Sequence, residues 1–266
     1  MARGRKREPG AAPNQSVARA LEILEALSRA GRSLGVREVA RAVGLPSSIA
    51  QRLLATLADC GFAEQDSGRK YGIGPRAFAV GNAFIGSNVL AREALNELQL
   101  LADDHQLNGY LGVLRNNSVV YLLACQSSGP IAIKVRAGSE THLHSTALGK
   151  ALLADLPEEE ARRLLGKEPF ARQTSHTKTR FATLLPDLQQ ARRAGYAMSD
   201  EENLIGVYAV GAVIRDWTGQ VVAALSVALP RHDWARARLP KIASWVKEAA
   251  DRISKRLGAP VAQRAA

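Results

Sequence analysis

Apolar residues recur every three to four positions through residues 36–62, VREVARAVGLPSSIAQRLLATLADCGF, and predict two short helices joined by a tight turn. Val36, Val39, Ala40 and Val43 give the first helix one apolar face, and Ala50, Leu53, Leu54 and Leu57 give the second its buried stripe. Gly44 suits the left-handed backbone of a helix stop. Leu45 seals the corner, and Pro46 opens the next helix without needing its N–H. Upstream, Val17, Ala20, Leu21, Leu24 and Leu27 predict a third amphipathic helix. Downstream, Phe62–Glu64 and Lys70–Ile73 read as two short strands around an Asp66–Arg69 turn.

The second helix turns Ser47, Ser48, Ile49, Gln51 and Arg52 outward, a face of hydroxyl, amide and guanidinium groups. A helix with that face, held across another by a turn, is how a helix-turn-helix reads the major groove. Arg37 on the preceding helix and Arg69 and Lys70 on the hairpin, a candidate wing, complete the expected DNA contacts. An ordinary αα-hairpin shares the apolar spacing and the glycine; the third helix, the wing and the basic N-terminus favour the DNA reader. That N-terminus carries Arg3, Arg5, Lys6 and Arg7. Such a run either follows phosphates and enters a narrow minor groove, or is a solubilising tail.

Residues 1–13 are read as a basic disordered arm, 14–76 as a winged helix-turn-helix, 77–90 as a linker helix and 91–260 as a second domain. The linker, with Phe78, Val80, Phe84 and Ile85 among glycines, either pairs with a copy of itself or caps its own domain. In the second domain, Val89–Leu107 reads as a helix. Strand-like runs follow at Tyr110–Leu114, Val119–Ala124 and Ile131–Val135. Helices are expected at Thr146–Ala154, after Pro157, at Thr183–Arg193 and at Leu239–Leu257. Strands at Val207–Ile214 and Gln220–Ala228 flank an Asp216–Gly219 turn. Helices interleaved with antiparallel strands imply an α+β domain.

The formal net charge is +11 and the sequence pI about 10.1, which favours an anionic partner. Residues 1–76 hold 13 Lys/Arg against 7 Asp/Glu, and residues 77–266 hold 23 against 18, so the basic excess is densest around the helix-turn-helix. No apolar run approaches the ~20 residues of a spanning helix, and no secretory signal opens the chain; a cytoplasmic protein without membrane attachment is expected. Cys60 and Cys125 imply neither a disulfide framework nor zinc spacing.

Catalytic patterns fail on inspection. Gly149-Lys150 lacks the earlier glycine of a phosphate loop and is followed by Ala151. No G-x-S-x-G elbow occurs. His142 and His144 have no cysteine or third histidine near them in sequence, and Ser145 or Thr146 reads as a helix cap. Asp200, Glu201 and Glu202 read as a solvated acidic turn. No cofactor is expected, and the chain is not read as an enzyme.

In combination, S16-V-A-R-A-L-E-I-L, G44-L-P-S-S-I-A-Q-R-L-L, L143-H-S-T-A-L-G-K-A-L-L-A, G195-Y-A-M-S-D-E-E-N-L-I-G-V and D216-W-T-G-Q-V-V-A-A-L-S-V resemble the IclR family of transcription regulators. The resemblance runs from about Asn14 to Leu257. It implies a winged helix-turn-helix, a helical linker and a GAF-like effector-binding domain, in dimers or tetramers that repress or activate catabolic operons. The family's recognition helix often begins Pro-Lys-Ser-Thr, whereas this chain has Pro46-Ser47-Ser48-Ile49. Ile49 can pack on a thymine methyl but cannot hydrogen-bond a base edge, so the operator sequence does not carry over.

The resemblance also implies a ligand pocket at Ile133, Thr141, Ala147, Leu148, Ser199, Val207, Ala209, Ser226 and Ala228. Members that bind very small polar acids place polar groups where this chain has Ala209 and Ala228, so an aromatic or longer-chain organic acid is expected. Some of these positions would otherwise be simple core. Two other classes compete with the regulator: an architectural DNA binder without an effector, and an enzyme with a helical accessory module.

Overall fold

The computed structural model describes residues 14–128, 133, 135–231 and 233–260. Arg3, Arg5 and the rest of the basic arm lie outside them. The chain divides into two compact units, Met1–Ser87 and Asn88–Ala266.

In the first unit, helix α1 spans Gln15–Ala30, and its N-cap Asn14 accepts the N–H groups of Ser16 and Val17 at 3.0 and 3.3 Å. Helix α2 spans Val36–Ala42 and α3 spans Ser47–Asp59. Between them Gly44 sits at φ +64°, where a side chain would be strained, and Leu45 donates back to the Ala40 carbonyl at 2.9 Å. Pro46 is the N-cap of α3, one position earlier than a first helical residue.

Ile23, Leu27, Leu34, Val39, Leu54, Ala63 and Tyr71 form the core of this unit. The stripe expected on α1 is therefore displaced. Ile23 and Ala26 are buried, while Val17 and Leu21 remain 56% and 55% exposed, because the side that meets the core runs through Ala20, Ile23, Leu27 and Ala30. Strands β1 (Ala63–Gln65) and β2 (Tyr71–Ile73) pair antiparallel, and Leu34 bridges to Tyr71 beside them. Asp66 closes the turn by accepting the Lys70 N–H at 2.9 Å.

Helix α4 runs Pro75–Ser87, and Asn88 then caps α5, Val89–His105. Helix α5 thus begins at Val89, where the Val89–Leu107 pattern puts it, and the linker helix expected to reach Leu90 stops at Ser87, since the Asn88 side chain takes the Ala91 N–H at 3.2 Å. Phe78 and Val80 are exposed on α4.

The second unit is built on one antiparallel sheet, β3 (Asn108–Arg115), β4 (Ser118–Cys125), β5 (Glu140–Thr141), β6 (Ala197–Asp200), β7 (Val207–Arg215) and β8 (Val221–Pro230), in the order β5-β4-β3-β8-β7-β6. Residues of both parities along β8 are buried, so helices cover both faces. Helix α5 and the last helix, α9 (Asp233–Arg256), pack on β3, β4, β7 and β8. Helix α6 (Ala147–Asp155) and α8 (Phe181–Ala194) pack on the sheet with α7 (Glu158–Leu165), sharing a core with Tyr110, Tyr121, Ala224 and Ala228. Helix α6 lies close enough to the sheet that a Cβ on Gly211 of β7 would stand 2.9 Å from the Ala147 carbonyl oxygen.

Three expectations change here. Strand β6 was not anticipated; it is a four-residue edge strand with little apolar alternation. Helix α9 starts at Asp233 rather than Leu239 and continues through Pro240. The strand expected at Ile131–Val135 lies outside the described residues apart from Ile133 and Val135, neither of which is in a strand.

Candidate functional site

A cavity of about 190 Å³ opens between the start of α6 and the sheet. Strand parity explains its walls. Ser226 and Ala228 are two apart on β8 and share a face, and Ala209 on β7 stands directly across from Ala228. Tyr110 pairs with Ser226 from β3. Ile133, Ala147, Leu148, Ser199, Val207, Ala209, Ser226 and Ala228 all line this one space. Thr141 does not: it sits on β5, paired with Val119 of β4.

The polar end of the cavity is the start of α6. Thr146 is the N-cap and accepts the Gly149 N–H at 3.1 Å. The N–H groups of Ala147 and Leu148, the first two of the helix, have no intrahelical carbonyl to meet. Ser199 donates to the Ser145 carbonyl at 2.7 Å, and the Ser145 hydroxyl donates to Asn203 Oδ1 at 3.2 Å. The Ser226 hydroxyl has no partner among the described residues. Tyr110 donates to the Ile133 carbonyl at 2.5 Å. Burial, with a smaller push from Tyr121 in the case of Tyr110, holds both phenols above their ordinary pKa and hence neutral.

Among the described residues, no charged side chain lines the cavity. An anion there would be met by the helix terminus and neutral donors, and the remaining wall is aromatic and aliphatic. Tyr110, Tyr121, Val135, Thr146, Asn203 and Leu204 line the space without having been anticipated. For the tyrosines the observed hairpin register decides: it pairs Tyr110 with Ala124 and Gly112 with Tyr121, setting both rings on one face.

Behind the cavity lies a cluster of buried charge. Lys150, on α6 and only 1% exposed, reaches Asp187 at 2.6 Å and Glu202 at 2.5 Å, and Lys178 also pairs with Asp187. Burial pushes the Asp187 carboxyl up, but the two lysines outweigh it and hold its pKa below the usual range. At Glu202 burial wins over the pull of Lys150, and the pKa is raised. The expected solvated acidic turn is thus corrected: Asp200 is exposed, but Glu202 is 4% exposed because Lys150 reaches it from another element.

His144 is buried, its Nε2 at 2.8 Å from the Ala171 carbonyl, and desolvation lowers its pKa. His142 Nε2 lies 2.6 Å from Gln173 Nε2. Among the described residues no group of three metal-ligating side chains converges, and no helix is long and apolar enough to cross a membrane.

In the first unit, Ser47, Ser48, Gln51 and Arg52 form one exposed stripe on α3, at offsets of one, four and five residues from Ser47. Ile49 is half-buried at its edge, and Gln51 donates weakly to the Tyr71 hydroxyl at 3.4 Å. Arg37 is exposed on α2. Arg69, at φ +58°, and Lys70 are exposed at the wing.

The sequence matches two family models: the IclR helix-turn-helix domain over residues 16–67, and the bacterial transcriptional regulator IclR C-terminal domain over residues 83–255. The chain belongs to the IclR family. It is similar to the HTH-type transcriptional regulator BhcR of Paracoccus denitrificans, with 33% identity covering 89% of this chain and 85% of that protein. A transcriptional regulator from Alicyclobacillus acidocaldarius superposes with a TM-score of 0.82 at 27% identity, covering 92% of this chain and 99% of that one. An IclR homologue from Microbacterium hydrocarbonoxydans, solved in complex with 4-hydroxybenzoate, gives 0.79 at 26% identity over 91% and 99% of the two chains. This IclR-family chain is therefore a transcription regulator with an N-terminal DNA-binding domain and a C-terminal effector-binding domain, not an enzyme.

Proposed function

We propose that this regulator takes a small organic acid with an aromatic or longer-chain body into the cavity beside α6, and so controls binding to the operator of a catabolic gene set. The observation that carries this reading is the cavity's division, among the described residues, into a donor-rich, uncharged end and an apolar remainder. Its volume is below the ~300–1,000 Å³ of pockets for drug-sized ligands, which suits a small molecule. Ala209 and Ala228 leave space where a larger side chain would fill it. The 4-hydroxybenzoate complex of the Microbacterium homologue supports an aromatic acid.

Thermal-shift screening of carboxylates against the full chain tests this, since a ligand of the native state raises the melting temperature with concentration. A carboxylate hit is expected. Ser226→Ala should weaken it by roughly tenfold, the value of about 1.5 kcal/mol for a hydrogen bond to a charged group. No hit among aliphatic and aromatic acids would overturn the reading.

The DNA-reading half is Ser47, Ser48, Gln51 and Arg52 in the major groove, Ile49 against a methyl, and Arg37, Arg69 and Lys70 on phosphates, with Arg3 and Arg5 as an electrostatic arm. One recognition helix reads few base pairs, so the operator-bound form is a homodimer, or a homotetramer of two dimers, on a pseudo-palindrome of double-stranded DNA. Arg52→Ala should cost about 1–3 kcal/mol at one operator position and little elsewhere; a uniform loss would reassign Arg52 to the backbone. Arg69→Ala and Lys70→Ala should each make the slope of log affinity against log salt shallower by about 0.9. An unchanged slope would remove the wing from the interface.

A further inference from the structure

Asn203 stands in the cavity wall on the loop between β6 and β7, and nothing in the sequence motifs assigns it a role. Its surroundings fix it closely. Thr174 donates to the Glu201 carbonyl and Thr177 to the Glu202 carbonyl, both at 2.7 Å. Glu201 Oε1 accepts the Gly206 N–H at 2.7 Å, closing the loop on itself. The Glu202 carboxylate, next in sequence to Asn203, is held by Lys150 at 2.5 Å.

Two connections tie this loop to the start of α6. Ser145, fully buried and two residues before Ala147, donates to Asn203 Oδ1. Lys150, three residues beyond Ala147 on the same helix, clamps Glu202. An asparagine amide offers an oxygen acceptor and two N–H donors. With Oδ1 engaged by Ser145, both Nδ2 protons remain without a partner among the described residues, which also bring no charged side chain to this wall. A carboxylate entering this space must be hydrogen-bonded on most of its lone pairs to repay its lost hydration. Two helix N–H groups and Ser226 leave room for a further donor.

We infer that Asn203 reads the effector's acid group together with the Ala147 and Leu148 N–H groups, and that Lys150 is the positioning residue that holds it there through Glu202. This rests on the effector cavity proposed above, and it converts that cavity from one that merely accepts an acid into one that selects acids over their neutral analogues.

The test compares acid and amide probes on the full chain: benzoate, 4-hydroxybenzoate and phenylacetate against benzamide, 4-hydroxybenzamide and phenylacetamide. Wild type should prefer the acids. Asn203→Asp keeps the shape and puts a negative charge against the ligand, so it should weaken the acids by about 10–100-fold, the range for a lost charged hydrogen bond. Amide binding should stay the same. A variant that only loosened the loop would weaken both series alike. Glu202→Ala, which releases the clamp, should lower the acid-to-amide ratio, and Glu202→Gln, which can still accept from Lys150, should restore it. If wild type binds the acids and Asn203→Asp leaves the ratio unchanged, the role of Asn203 is overturned while the cavity stands. If Glu202→Ala leaves the ratio unchanged, the Lys150 clamp is overturned. If no acid binds wild type, the cavity itself is overturned and this inference with it.

Discussion

Lys150→Met should be the most damaging conservative-volume change in the chain, lowering stability by about 3–5 kcal/mol. Lys150 is 1% exposed and its ammonium serves two acids, one of which, Glu202, is itself almost wholly buried. Methionine fills the space but leaves Glu202 facing a low-dielectric interior with only Lys178, at 3.9 Å, for company. Stabilities of ~5–15 kcal/mol are usual, so the loss is a large fraction of the total. For a domain of this size it corresponds to roughly 6–20 °C in melting temperature. Adding Glu202→Gln to Lys150→Met removes the orphaned charge and should recover at least ~1 kcal/mol. Denaturant melts of the two variants beside wild type check this. A single variant within 1 kcal/mol of wild type, or no recovery in the double variant, would show that the cluster is not a stabilising charge pair.

Ala209→Phe should abolish acid binding, by more than about 100-fold, while leaving operator affinity in the absence of acid within about twofold. Ala209 stands across from Ala228 on the cavity wall, and a phenyl ring there occupies the space the ligand needs. At one hundred times its dissociation constant a ligand stabilises the native state by about 2.7 kcal/mol, so the thermal shift that disappears is a large one. The helix-turn-helix belongs to the other compact unit, which is why its intrinsic reading of DNA should be spared. A retained shift in Ala209→Phe would move the effector site elsewhere.

The helix-turn-helix was legible because its determinants are local: apolar spacing over two short helices, Gly44 at the stop and an alternating hairpin. The α1 stripe was less so. Periodicity finds an apolar arc, but which side of it meets the core depends on the neighbouring elements, and Val17 and Leu21 lie off the side that carries Ile23 and Leu27. Strand β6 escaped notice because four residues at a sheet edge carry too little alternation to register. Glu202 was misread because an acidic run looks solvated, and its partner lies 52 positions away. A signal for that partner was present: the helix A147-L-G-K-A-L-L-A is apolar all round apart from one lysine, which marks a buried helix whose cation must find an acid. Pocket residues carried by the family pattern converged on one cavity, except Thr141. Tyr110, Tyr121 and Asn203 join them through strand register and a loop fixed by distant side chains, which no local motif encodes.

The proposed regulation is a population shift: the acid favours one arrangement of the protein over another only to the extent that it binds them differently. Such coupling is reciprocal, so acid and operator must change each other's affinity by the same factor. The most direct measurement is a titration of full-length protein onto its selected operator duplex, with and without a saturating carboxylate that binds it, run in parallel for wild type and Ala209→Phe. Operator affinity should change at least fivefold for wild type, the lower end of typical allosteric coupling at about 1 kcal/mol, and not at all for Ala209→Phe. Equal operator affinity with and without bound acid in the wild-type protein would contradict the proposed regulation.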